Sequence, residues 1–228
     1  GTGLLLSQSI FRYLQDEDIP QRKWHVPVFL RAGTKEGTVN MTILLTEREQ
    51  RVELADVDWA VVNAGGHGYY RVCYSSELVD SLRRQLQENL SPVERFNLVN
   101  DTWATTLAGL TSLTDYLELI DLLWDEKDLS VWTSVIGSCN HLNRILDEAQ
   151  WDSLQKRLRA ILSHALERLT WMPRAGEAEL EGQLRGDLIA ALGTLGDDKG
   201  CQERARALFA DYEKYSNAVD KNVVPALV

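Results

Sequence analysis

Apolar and polar residues alternate with a period of two in the first third of the chain. The alternation covers 24–30 and returns at 39–45. A period of two is typical of half-buried β-strands. The glycine-bounded stretch 31–37 lies between the two runs and predicts a hairpin loop. Pro27 falls within the first run, which predicts a sheet edge or a bulge there, because proline cannot donate to a strand ladder.

A second pair of strands is predicted around the glycine-rich stretch 63–68. Residues 59–62 precede that stretch, and residues 69–74 follow it with aromatic and β-branched side chains. Short strands separated by turn signals favour an antiparallel β-sandwich.

From Ser75 onward the apolar residues recur at intervals of three and four, which predicts amphipathic helices. The clearest start is Ser91-Pro92-Val93-Glu94, where Ser91 can cap, Pro92 suits the first helical position and Glu94 can bond back to the cap amide. Short linkers such as 125–128, 173–176 and 196–200 predict that sequential helices are antiparallel neighbours.

The predicted fold class is multi-domain β + α, in two parts. Residues 1–75 are predicted to form a small antiparallel β-sandwich. Residues 76–228 are predicted to form an all-α superhelical domain of the HEAT-like, α-α kind, with six or seven helices. The apolar end of the chain further predicts that this helical domain is truncated.

The formal net charge of −10 argues against nucleic acid as a partner, because phosphate binding needs a basic face. No stretch approaches the roughly 18 consecutive apolar residues that cross a bilayer, so no membrane partner is expected. Cys73, Cys139 and Cys201 are odd in number and far apart, which favours free thiols and a cytoplasmic location.

No catalytic or metal-binding motif is present in the sequence. None of the four histidines begins His-Glu-x-x-His, the pattern that places two zinc ligands one helical turn apart. The nearest miss runs from His164 to Glu167, where Arg168 occupies the position of the second ligand. The glycine-rich stretch 63–68 precedes a predicted strand, whereas a phosphate cradle needs helix amides. The prediction is therefore no catalytic, metal or cofactor site in this chain.

Several charged residues lie among apolar positions of the predicted helices. Buried charges need partners. One hypothesis pairs Asp101 with Arg95, Arg185 or Arg71 and so fastens helices together. Independent solvated charges are the open alternative.

The order of motifs resembles the C-terminal half of the M1 family of zinc aminopeptidases, especially its puromycin-sensitive branch and bacterial relatives. The series includes Gly-Tyr-Tyr-Arg-Val at 68–72 and Trp-x-Pro-x-x-Gly-Glu at 171–177. The matched positions, expected to be structural, are Trp24, Pro27, Gly68, Tyr69, Tyr70, Arg71, Arg95, Asn100, Asp101 and Arg185.

This resemblance implies more than the pattern itself. In that family a helical bowl follows a β-sandwich, caps the catalytic domain and encloses a chamber that admits peptides. The family's zinc motif belongs to the preceding domains. The resemblance thus implies a non-catalytic fragment whose partners are the parent's catalytic domain and peptide substrates, with zinc only in that parent.

Two alternatives remain open. The chain could be a stand-alone peptide- or protein-binding module, or part of an inactive scaffold whose parent has lost its zinc ligands. Helices that normally pack on a missing domain would expose apolar surface, so self-association is also expected.

Overall fold

The strands lie in the first part of the chain and form two antiparallel sheets. A computed structural model describes residues 3–14, 22–84 and 86–227. The strands are β1 (Leu4–Ser7), β2 (Val26–Thr34), β3 (Gly37–Leu45), β4 (Glu49–Val52) and β5 (Val57–Val62). One sheet pairs β1 with β4, and the other has the order β3-β2-β5.

Both sheets contribute to one hydrophobic core. Every second residue of β2 between Val28 and Ala32 is buried, and β1 alternates in the same way. The buried members of this core are Leu4, Leu6, Val28, Leu30, Ala32, Leu45, Val52 and Ala60. Two antiparallel sheets that share a core form a sandwich, and the predicted β part of the fold class is confirmed.

The hairpin between β2 and β3 is tighter than predicted. Thr34 pairs with Gly37, so Lys35 and Glu36 alone form the turn, and most of the predicted loop 31–37 is strand. Pro27 pairs with Leu44 of β3, whereas the β2·β5 ladder covers only Leu30–Thr34. Among the described residues no strand pairs with Pro27 on its other side, which fits the predicted sheet edge.

The predicted strand at 69–74 is wrong. These residues carry no ladder, and a 3-10 turn at Ala64–Gly66 replaces the expected hairpin loop. Asn63 enters that turn with a left-handed φ of 64°. The chain thereby leaves the β5 edge, and the segment that follows bonds elsewhere. The Val72 amide donates to Asp101 Oδ2, and the Tyr74 hydroxyl donates to the Val62 carbonyl. Conversely, β4 exists although its residues are mainly polar, because β1 pairs with it in register.

Eight α-helices follow in the described residues. They are α1 (Ser76–Arg83), α2 (Leu86–Asn89), α3 (Pro92–Leu107), α4 (Leu113–Asp121), α5 (Leu129–Leu142), α6 (Glu148–Leu169), α7 (Glu179–Thr194) and α8 (Lys199–Lys214). The α3 start is as predicted, with Pro92 first and the Ser91 amide donating to Glu94 Oε2 at 2.7 Å. The fold class, β followed by α, is confirmed.

Helix α7 is the central element of the later helices. It packs against α5, α6, α8 and a C-terminal 3-10 turn, Val224–Ala226. Because it has neighbours on several sides, buried residues occur around most of its circumference, from Gly182 to Leu192. Such a helix is apolar on more than one face.

Contacts divide the chain into two compact units, Gly1–Leu119 and Ile120–Val228. The change from strand to helix falls earlier, since β5 ends at Val62 and α1 begins at Ser76. The predicted domain boundary between residues 75 and 76 stays a prediction. None of the helices in the described ranges is long and apolar enough to span a membrane.

Candidate functional site

Two of the matched positions, Arg71 and Asp101, meet in the first unit. Arg71 Nη1 lies 3.1 Å from Asp101 Oδ1 and donates to Asn100 Oδ1 at 2.8 Å. Asp101 Oδ2 accepts the Val72 amide at 3.0 Å. Of the three arginines proposed for Asp101, Arg71 is therefore the partner. Because Arg71 lies in the loop before α1, the pair joins that loop to α3 and does not fasten two helices together. Burial raises the pKa of Asp101, although Val72 and Arg71 oppose that effect.

The other matched residues of this unit lie in different surroundings. Arg95 is buried and donates to the Leu90 carbonyl at 2.7 Å. Gly68 exchanges hydrogen bonds with the Asn63 side chain, at 2.6 and 3.0 Å. Tyr70 is half-buried, whereas Trp24 and Tyr69 are exposed. That these ten positions form a structural family signature stays a prediction.

A second polar centre of the first unit was not predicted as such. Arg31 of β2 donates to both oxygens of Glu94, at 2.8 and 2.7 Å, and to the Asn89 carbonyl at 2.6 Å. The Gly65 amide donates to Glu94 Oε1 at 2.8 Å. Sequence reasoning recognised Glu94 only as a helix cap; the pairing with a residue 63 positions earlier follows from tertiary structure.

In the second unit, Arg185 fastens α7 to the loop after α6. Its side chain is completely buried, and Nη2 contacts the carboxylate of Glu177. Nε donates to the Thr170 carbonyl at 2.8 Å, and Nη2 reaches the Leu169 carbonyl at 3.2 Å. Thr170 has φ 62° and ψ 167°, a conformation that usually requires glycine. Arg185 thus holds a strained turn in place.

Beside this turn the second unit has an open groove of about 530 Å³. Its lining comes from α6, the turn after it, α7 and the start of α8. The lining residues are Ser163, Leu166, Glu167, Thr170, Trp171, Leu192, Asp198, Gly200, Cys201 and Arg204. The guanidinium carbon of Arg204 lies 4.6 Å from the centroid of the Trp171 ring. This volume falls within the range of ligand-binding clefts.

The cysteine of the groove is poorly suited to act as a nucleophile. Cys201 is buried, and burial raises its pKa to about 11, with Asp198 adding to the effect. The group is therefore a thiol at neutral pH, and the thiolate is the nucleophilic form. Its Sγ contacts the Ile189 carbonyl at 3.5 Å, consistent with a packed side chain.

The residues present do not fit a zinc site. Across the described ranges, no three His, Cys, Asp or Glu side chains come together in a group that could hold a metal ion. The His164 ring lies against the Trp124 ring, with centroids 4.8 Å apart. Arg168 follows Glu167 where a second ligand would be needed. No step of a reaction is assigned to a metal in this chain.

Similarity to known proteins accounts for this combination of a sandwich and a helical region. A family profile described as the ERAP1-like C-terminal domain matches residues 59–228. The chain belongs to this family. Its similarity to the C-terminal region of M1 aminopeptidases, expected from the motif order, is confirmed.

Several curated relatives of this chain are aminopeptidases. Aminopeptidase M1 of Arabidopsis thaliana is 26% identical over 223 residues, which is 89% of this chain and 25% of that protein. Aminopeptidase M1-B of Oryza sativa subsp. japonica is 30% identical over 220 residues, with 90% and 25% covered. Puromycin-sensitive aminopeptidase of Caenorhabditis elegans is 25% identical, with 86% and 22% covered. The chain therefore spans a quarter or less of each of these relatives.

Proposed function

We propose that this chain is the non-catalytic C-terminal region of an M1 zinc aminopeptidase. The observation that carries the proposal is the family match over 59–228, together with aminopeptidase relatives about four times as long as the matched segment. The parent would remove N-terminal residues from peptides with zinc-activated water held in another domain. The residues of this chain would contribute to the wall of the parent's peptide chamber and to the opening and closing of that chamber.

The partners under this proposal are the parent's catalytic domain and peptide substrates. A helical array can present extended surfaces to peptides, and the groove of the second unit offers one such surface. A cytoplasmic location is part of the proposal and is supported by three free cysteines, of which Cys139 and Cys201 are buried.

Self-association is also proposed for the isolated chain. Large apolar side chains are exposed on it, including Ile145, Met172 and Leu180. Analytical ultracentrifugation over a wide concentration range tests this point, and a monomer throughout would contradict it.

The proposal is tested first with the chain alone. A panel of fluorogenic aminoacyl substrates is incubated with it while zinc content is measured. We expect neither turnover nor stoichiometric zinc. Chelator-sensitive turnover would overturn the non-catalytic assignment.

The sequence upstream in the same gene separates the remaining alternatives. His-Glu-x-x-His there supports the aminopeptidase parent, and replaced ligands indicate an inactive scaffold. A gene that encodes no preceding catalytic domain would instead favour a stand-alone binding module.

A further inference from the structure

The groove beside Trp171 combines an aromatic face with two carboxylates. Glu167 lies near the end of α6, and Asp198 caps α8, where its Oδ1 accepts the Cys201 amide at 2.8 Å. Within the part of the chain that the structure describes, neither carboxylate takes part in an ion pair. Arg204 is the cation among the lining residues. The lining therefore carries a net negative charge.

The contact between Arg204 and Trp171 shows that a guanidinium can lie against this aromatic face. The guanidinium of an exposed arginine lies over the indole at 4.6 Å, within the range of a cation–π interaction. Guanidinium groups also form bidentate hydrogen bonds with carboxylates. An aromatic face and two carboxylates that line the same groove are together complementary to a planar cation.

We propose that this groove binds the arginine side chain of an extended peptide. This inference deepens the proposed function, on which it rests, by giving the peptide partner a chemical class. Leu166 and Leu192 would contact the aliphatic part of the side chain, and Glu167 and Asp198 would pair with its guanidinium. The formal charge of −10 on the whole chain favours the approach of cationic peptides.

An acidic peptide is the less favourable occupant. It would approach Glu167 and Asp198, and only Arg204 among the lining residues would attract it. Like charges at short range oppose binding and supply selectivity. Arg204 would repel the proposed arginine ligand, because its own positive charge already lies at the same aromatic face.

Peptide titrations followed by NMR test the proposal. The probes are acetyl-Gly-Gly-Arg-Gly-Gly-amide and the same peptide with Glu at the centre. We expect the arginine peptide to shift the Trp171 indole N–H and the Gly200 amide, and the glutamate peptide to leave both in place. A Trp171→Phe variant assigns the indole signal. Equal shifts with both peptides, or none with either, would overturn the inference.

Three variants then separate groove recognition from general electrostatic attraction. Glu167→Gln is expected to weaken binding of the arginine peptide about threefold, as for the loss of an exposed ion pair. Arg204→Gln is expected to strengthen it by a similar factor, since a competing charge is removed. Glu213→Gln, a matched change on the exposed surface of α8 outside the groove, serves as the control. If Glu167→Gln and Glu213→Gln have the same effect, the groove is not the site.

The blocked peptides keep this test apart from that of the proposed function. An aminopeptidase cannot release an N-terminal residue that is acetylated, so the titration measures binding alone. Turnover of aminoacyl substrates by the chain would overturn the non-catalytic assignment and leave groove binding intact. Absence of arginine binding would remove the site and leave the family assignment intact.

Discussion

Arg31 and Glu94 form a bidentate ion pair between the middle strand of a sheet and the first turn of α3, with N–O distances of 2.8 and 2.7 Å. The Glu94 side chain is 1% exposed and that of Arg31 is 23% exposed. Glu94 also accepts the amides of Gly65 and Ser91. One carboxylate therefore joins the sheet, the 3-10 turn and the helix.

Glu94→Gln is expected to lower the free energy of unfolding by about 3 kcal/mol, the lower range for breaking a buried pair, because Arg31 is partly solvated. Urea unfolding at pH 7 measures it. Glu88→Gln, an exposed glutamate of α2, is the control and should change little. Similar losses in both variants would show that the buried pair has no special role.

The same carboxylate predicts a pH dependence of stability. Burial acts to raise the pKa of Glu94, but hydrogen bonds from Arg31, Gly65 and Ser91 outweigh it and hold the pKa below the ordinary 4.5. Glu94 has the higher pKa in the unfolded chain, so the unfolded chain takes up the proton first as pH falls. The stabilisation from the Glu94 carboxylate is therefore present above pH 4.5 and is lost as pH falls through the folded pKa. In urea titrations, the difference in the free energy of unfolding between wild type and Glu94→Gln should become smaller below pH 4.5. A difference in free energy of unfolding that stays constant down to pH 3 would contradict the lowered pKa of Glu94.

Arg185→Lys tests the turn after α6. Lysine keeps the charge but lacks the planar fork that reaches Leu169, Thr170 and Glu177. We expect the free energy of unfolding to fall by about 2–3 kcal/mol, since buried acceptors lose their hydrogen-bond donors. Thermal unfolding measures it, with Arg206→Lys on the exposed surface of α8 as the control. Equal melting temperatures for the two variants would contradict the prediction.

Two glycines of α7 give a matched pair for packing. A Cβ on Gly186 would lie 2.2 Å from the Asn222 carbonyl oxygen, whereas one on Gly193 would meet nothing closer than Cys201 Sγ at 3.9 Å. Gly186→Ala should destabilise by about 2 kcal/mol because backbone must move. Gly193→Ala should stabilise by about 0.5 kcal/mol through helix propensity. Chemical denaturation of both variants decides, and destabilisation of equal size would refute the close approach.

Local signals in the sequence predicted the helical part well. The Ser91-Pro92-Val93-Glu94 start depends on neighbouring residues alone, and it forms as expected. The strand predicted at 69–74 is wrong because aromatic and β-branched residues suit a strand, whereas this segment bonds to distant groups such as the Asp101 carboxylate. Tyr74 likewise bonds outside any strand ladder, since its hydroxyl accepts from the Val62 amide and donates to the Val62 carbonyl.

The groove depends on contacts that no local pattern carries. Trp171 belongs to a motif visible in the sequence, but it lies in the turn after α6 and its partner Arg204 comes 33 positions later, on α8. The approach of α8 to the end of α6 follows from how both pack on α7. Likewise Asp101 had three candidate arginines, and only tertiary structure selects Arg71.

The conformation of Thr170 has a consequence for the rates of folding and unfolding. Its strained backbone is held by bonds from Arg185, which belongs to the next helix, so the turn reaches its native form when α7 docks. We expect this docking to follow the rate-limiting step of folding, and interactions made after that step act mainly on the unfolding rate. In stopped-flow experiments, Arg185→Lys should accelerate unfolding and leave the folding rate nearly unchanged. This arginine would then set how long the native turn persists rather than how quickly it forms.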